Sequence, residues 1–413
     1  MTRLVHRADP SLQHLQAALT TTTERLAAEL AHPRTDAPAW SETEWRVARA
    51  VAAIHGVSAL LSARLRWPGP PGWNSFLAEQ RTHIALRMSR IQALLERMDS
   101  DARRAGLAIV ALKGAALHAR GLYIPGERPM ADIDILVREP DAEQTVVLLA
   151  ALGFREGAAT WKHRSFAPDT SQGMAATLGE DAAAAVKIEL HTSIQELLPV
   201  RAVDLSAVVF AEQPRPGLNG YRSTAALLAH LVLLASGAMV LRELRLLHLN
   251  DIARLCAVMS AQDWEEFFRL AQTARDPTPW WAYPPLALAH RYYGCVPAPV
   301  LARVARACPW LLRRAYRHRT LTDVSISHLW ISAFPGIEWS GSASEMARYI
   351  GRRLIPSPET RALRVEFAAA QPQVSGGEWA RTSQLRRMRR WLLTRQARQA
   401  TLHPVRASLE RPL

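Results

Sequence analysis

Lysine is almost missing from this chain. Lys113, Lys162 and Lys187 are the three present, against 48 arginines. A GC-rich coding bias that replaces Lys by Arg wherever either serves accounts for the imbalance. The survivors matter because the two side chains are not equivalent at a compact phosphate or metal site. All three fall between residues 113 and 187. Cysteine is scarce too: Cys256, Cys295 and Cys308 are widely spaced and form no CxxC pair. That excludes a cysteine zinc site or a disulfide framework and predicts reduced core thiols. Long apolar runs are also lacking. The longest, "ALLAHLVLLASGAMVL" (226–241), is short for a membrane span and carries His230 and Ser236. It predicts a buried helix. The opening residues, "MTRLVHRADPSLQHL", have no signal-like apolar stretch. Together these absences predict a cytoplasmic protein with no transmembrane segment.

What is present is 413 residues, too many for one core, so two or three domains are expected. Leu and Ala dominate and Gly is low, which predicts a mostly helical chain. The formal charge is +14, but residues 301–413 alone carry +13, with 20 Arg against 7 acids. The basicity therefore belongs to a C-terminal segment.

Apolar periodicity predicts helices over 11–33, 42–67 and 74–105, with Gly106 as the stop. The pattern then changes. "LAIVAL" (107–112) reads as a strand, "KGAALHAR" as a turn into a helix, and "DIDILV" as a strand. A helix ends at Gly153. "WKHRSFA" and "VKIELHTSI" (186–194) are further strand candidates. Helical patterning resumes from Ser223, and "TSQLRRMRRWLLTRQARQ" (382–399) reads as a basic helix. The division is a helical region at 1–105, an α/β unit at 106–210, a helical domain at 211–335 and an Arg-rich helical tail at 336–413.

The stretch "RPMADIDILV" (128–137) carries the chemistry. Strand residues two apart share a face, so Asp132 and Asp134 point together and Ile133, Ile135 and Val137 point away. Two adjacent carboxylates repel unless a cation lies between them, and hard oxygen ligands suit Mg²⁺, with Mn²⁺ as a substitute. Glu189, on the polar face of "VKIELHTSI", is the natural third carboxylate for a two-metal site. "LKGAAL" offers a helix start where the amides of Gly114 and Ala115 favour an anion, with Lys113 as a point charge. Arg128 reaches either a triphosphate or an aspartate. The bland readings are a structural Asp pair, an edge salt bridge for Glu189, a surface role for Lys113, and buried hydrogen bonds for His191 and Asp251.

Taken together, "IVALKGAAL", "RPMADIDILV" and "KIELHTS" resemble the motifs of the uncharacterised bacterial nucleotidyltransferases of the DNA polymerase β-like superfamily. The resemblance spans roughly residues 45–270. It implies an α+β fold in which a small mixed-sheet nucleotidyltransferase core is flanked by N-terminal and C-terminal helical domains. Two departures stand out: Ala115 replaces the usual Gly or Ser, and Thr192 an aromatic. The resemblance implies metal binding and catalysis by Asp132, Asp134 and Glu189. It implies nucleotide binding by Lys113, Gly114, Ala115 and Arg128, with an NTP, foremost ATP, as substrate. The acceptor would be a peptide, a protein or a small natural product of a biosynthetic pathway. An RNA-binding or RNA-modifying protein that uses the basic segment is the alternative. Peripheral membrane contact through that segment is compatible with either.

Overall fold

The structure is a computed structural model. It describes residues 10–413 except 161, 170–177, 273–275, 359–381, 384, 385, 387, 388, 391 and 392. The basic helix candidate at 382–399 therefore lies partly outside the described residues.

Four helices come first: α1 (Leu12–Ala31), α2 (Glu42–Ile54), α3 (Ser58–Arg64) and α4 (Pro71–Ala105). Ser41 and Glu44 form a reciprocal cap that starts α2. The single helix expected over 42–67 is broken at Gly56, which has φ +68°. The break has a tertiary cause. His55 is fully buried, and its Nδ1 accepts the Leu246 N–H at 2.8 Å while its Nε2 meets Ser327 Oγ at 2.8 Å. A Cβ on Gly56 would press on Leu247 at 3.2 Å. α4 is 35 residues long and ends at Gly106 in the left-handed region, the standard glycine stop.

The middle of the chain supplies β1 (Ala108–Ala111), α5 (Lys113–Ala119), β2 (Asp132–Leu136), α6 (Ala142–Ala151), β3 (Phe154–Ala159), β4 (Arg164–Pro168) and β5 (Lys187–His191). β6 (Gln195–Leu198) and β7 (Arg201–Asp204) form a hairpin, followed by α7 (Ser206–Val209) and β8 (Gly217–Asn219). Among the described residues the main sheet has six strands in the order β3-β4-β5-β2-β1-β8. β2 runs parallel to β5 and β1 parallel to β8; β1–β2, β3–β4 and β4–β5 are antiparallel.

Helices α8 (Thr224–Leu241), α9 (Leu246–Cys256), α10 (Ala261–Ala271), α11 (Tyr283–Tyr293), α12 (Ala298–Ala307), α13 (Trp310–Tyr316), α14 (Leu321–Val324), α15 (Ala343–Leu354) and α16 (Gln399–Leu409) follow. The fold is α+β and mostly helical, with a small mixed sheet flanked by helices. The long apolar run forms α8, most of which is buried inside the protein.

Two hydrophobic clusters hold these parts. The larger joins α1–α3 and the start of α4 to α8, α9 and the helices after them. Its seams include Thr23 Oγ1 to Ser327 Oγ at 2.7 Å and Arg49 Nη2 donating to Ser408 O at 2.8 Å. The second packs the later turns of α4 and helix α6 against Ile109, Ile133, Ile135, Val137, Ile188 and Leu190 on one face of the sheet. Alternation then leaves Asp132, Asp134, Glu189 and His191 on the opposite face.

Candidate active site

The parallel ladder sets the central geometry. Asp132 pairs with Lys187, Asp134 with Glu189 and Leu136 with His191. Asp134 and Glu189 are therefore directly opposite on neighbouring strands, with Asp132 one pleat away. The entry to β2 is fixed from below by Arg87 on α4. Its buried guanidinium donates to Met130 O at 2.9 Å, Ala131 O at 2.6 Å and Ala185 O at 3.1 Å. One arginine thus ties the chain just before β2 to the chain just before β5.

The three carboxylates have different electrostatic surroundings. Asp134 is 6% exposed. Burial alone would raise its pKa, but the Lys113 ammonium and His191 outweigh that and hold it well below the carboxylate range. Lys113 Nζ lies 2.5 Å from Asp134 Oδ1, and His191 Nε2 lies 3.0 Å from the same oxygen. Asp132 is pushed up, by burial first and by the Asp134 charge second. It makes no hydrogen bond or ion pair with another side chain among the described residues. Glu189 is pushed up to about 8 by burial and then by the charges of Asp134 and Asp132. His163 Nε2 stands 3.4 Å from Glu189 Oε1.

Lys113 opens α5 with φ +45°, a backbone region that a non-glycine residue enters at a cost. Its N–H donates to Tyr221 Oη at 3.3 Å, and Tyr221 Oη lies 2.7 Å from His230 Nδ1. Burial and the Lys113 charge push His230 down to about 3, so its ring is neutral and Nδ1 can accept the phenol proton. Gly114 and Ala115 follow, both buried. Ala115 packs its methyl into the cluster beneath the sheet. Gly114 is required by a close approach: a Cβ there would lie 2.3 Å from Arg128 Nη1 and 2.8 Å from Met130.

Arg128 itself faces α9. Its Nε donates to Asp251 Oδ1 at 2.9 Å and its Nη2 to Asp251 Oδ2 at 2.8 Å, a two-pronged pair buried on both sides. Tyr123 Oη adds a third donor to Asp251 at 2.7 Å. The guanidinium therefore backs the start of α5 and links the loop before β2 to α9. It lies behind Gly114 rather than beside Asp132.

A family described as "uncharacterised nucleotidyltransferase" matches residues 41–293. The chain belongs to that family. No curated protein and no solved structure matches it. The match covers the sheet, all three carboxylates and the Arg128–Asp251 clamp.

For a nucleotidyltransferase the donor set fits a divalent cation. Three carboxylates converge on one sheet face, and two of the three resist ionising. That excess of anionic oxygen is what a hard cation relieves. Several nearby groups escaped sequence reasoning. His163 enters from just before β4, Tyr221 from the loop before α8, His230 from within α8, and the exposed Arg245 from just before α9, where its charge acts on Asp132. Only tertiary packing brings them in; no spacing in the sequence marks them.

Proposed function

We propose that the protein moves a nucleoside monophosphate from an NTP, foremost ATP, to a hydroxyl of a peptide or small natural product in a cytoplasmic biosynthetic pathway. The observation that carries this reading is the convergence of Asp132, Asp134 and Glu189 on one face of the sheet. Asp132 and Asp134 would hold Mg²⁺, or Mn²⁺ in its place, and Glu189 would complete the set for a second ion. Bound there, the cations would neutralise charge on the triphosphate and on the attacking oxygen.

The chain's own groups supply position and a proton path. The acceptor oxygen bonds to the α-phosphorus, the α–β anhydride breaks, and pyrophosphate leaves with the bonding electrons. The acceptor proton passes to a carboxylate oxygen of Glu189. Lys113, held in place by Tyr221, turns from Asp134 to the β- and γ-phosphates when nucleotide arrives. The amides of Gly114 and Ala115 face the same phosphates, and Arg128 supports them from behind. Such transfer depends mainly on positioning and charge neutralisation.

The test is incubation with each α-labelled NTP, Mg²⁺ and candidate acceptors, reading label transfer and pyrophosphate. Wild type is expected to transfer label, and folded Asp132→Asn to lose at least about 10³-fold. Full turnover by a folded Asp132→Asn protein would overturn the assignment.

A further inference from the structure

We propose that His163, Glu189 and His191 form a second cation site, for a transition metal of the Zn²⁺ class, sharing Glu189 with the carboxylate group above. Two imidazoles and one carboxylate suit Zn²⁺, Co²⁺ or Ni²⁺ rather than Mg²⁺. Their ligating atoms all lie within 4.8 Å of one another.

The spacing supports coordination over hydrogen bonding. His163 Nε2 stands 3.4 Å from Glu189 Oε1, and His191 Nε2 stands 3.8 Å from Glu189 Oε2. Good N–H···O bonds are shorter, about 2.7–3.2 Å. Ligands about 2.0–2.1 Å from a tetrahedral ion stand roughly 3.3 Å apart. The three ligating atoms, all within 4.8 Å of one another, must contract to close on an ion.

Glu189 and His191 are two residues apart on β5 and share a face, and Ser165 of β4, two residues beyond His163, is the register partner of Glu189. The three side chains line a cavity of about 120 Å³ beside Ser193 and His230, which leaves room for a solvent ligand. Binding has a cost, because His191 Nε2 must give up its contact with Asp134 Oδ1 at 3.0 Å.

That cost gives the site a regulatory consequence, which rests on the nucleotidyltransferase reading. A transition metal withdraws Glu189 from the catalytic set and releases Asp134 from His191. Zn²⁺ therefore inhibits transfer supported by Mg²⁺.

Co²⁺ titration of the metal-free full chain, read by visible absorption and calorimetry, tests the site without any nucleotide. The expected result is one equivalent that gives the bands of a four- or five-coordinate ion, whatever further Co²⁺ the carboxylates take up. Affinity should fall at least about tenfold in His163→Ala and His191→Gln, with circular dichroism confirming folding. His163 is half-buried, so its variant tests the site even where loss of buried His191 unfolds the chain. No Co²⁺ bound by folded wild type, or unaltered affinity in His163→Ala, would overturn the proposal. Transfer assays in Mg²⁺ alone read the function separately, so Co²⁺ binding without transfer would sink only that reading.

Discussion

Asp134 and Glu189 face each other directly across the parallel β2–β5 ladder, and the charge of the first helps push the second up to about 8. The sign of the resulting pH dependence is fixed. Glu189 titrates higher in the folded protein than its ordinary 4.5. Without metal, its contribution to stability is fully present below that ordinary value and is lost as pH rises through about 8. A divalent cation competes with the same proton. The rise in melting temperature on adding Mg²⁺ should therefore be larger at pH 8.5 than at pH 6. Equal shifts at both pH values would contradict this.

Lys113 combines an ammonium on Asp134 with a left-handed backbone. These two roles separate by substitution. Lys113→Gly and Lys113→Val both remove the charge, but only glycine accepts φ +45° freely. Urea denaturation should find Lys113→Val less stable than Lys113→Gly by about 1–2 kcal/mol. Equal stability would mean the backbone strain has no energetic weight.

Gly114 and Asp251 act on the same guanidinium from opposite sides. Gly114→Ala forces its Cβ against Nη1 of Arg128, a guanidinium that Asp251 holds through Nε and Nη2. Asp251→Ala strands the buried Arg128 charge and should cost about 3–5 kcal/mol. The two effects share a cause, so they should not add. A double-mutant cycle should show Gly114→Ala costing less in the Asp251→Ala background than in wild type. Strict additivity would contradict the shared clamp.

Much of this arrangement was readable from local pattern. Alternation in "DIDILV" and "VKIELHTSI" placed the apolar residues below the sheet and the carboxylates above it, as the ladder and the cluster beneath confirm. Gly106 ended α4 where glycine geometry demands. What local pattern could not supply were contacts between distant segments. Arg128 lies 123 positions before Asp251, and nothing near Arg128 marks that pairing over a phosphate. The break at Gly56 depends on His55 reaching Leu246 and Ser327. β3, β6, β7 and β8 went unseen because their three to six residues lack the apolar alternation that marks β2 and β5. β8, with Gly217 donating its N–H to Leu107 O, is defined by the edge it joins.

His55 and His230 give the protein an acid limit. Burial pushes both down to about 3, and both are essentially enclosed. Folded values below the ordinary 6.5 mean that the stability of the neutral rings is full above 6.5 and is lost as pH falls toward 3. Each ring contributes on the order of 1 kcal/mol per pH unit in that window. The urea midpoint should fall steadily from pH 6.5 to pH 4. A flat midpoint across that range would contradict neutral burial.

The central claim is that Asp132 and Asp134 hold a nucleotide through a divalent cation. Calorimetric titration with non-hydrolysable NTP analogues, in Mg²⁺ and then in EDTA, tests it most directly. Wild type should bind in Mg²⁺ and lose that binding in EDTA, and folded Asp132→Asn and Asp134→Asn should each bind at least about tenfold more weakly. Binding that survives EDTA, or that is unchanged in the two folded variants, would contradict the account.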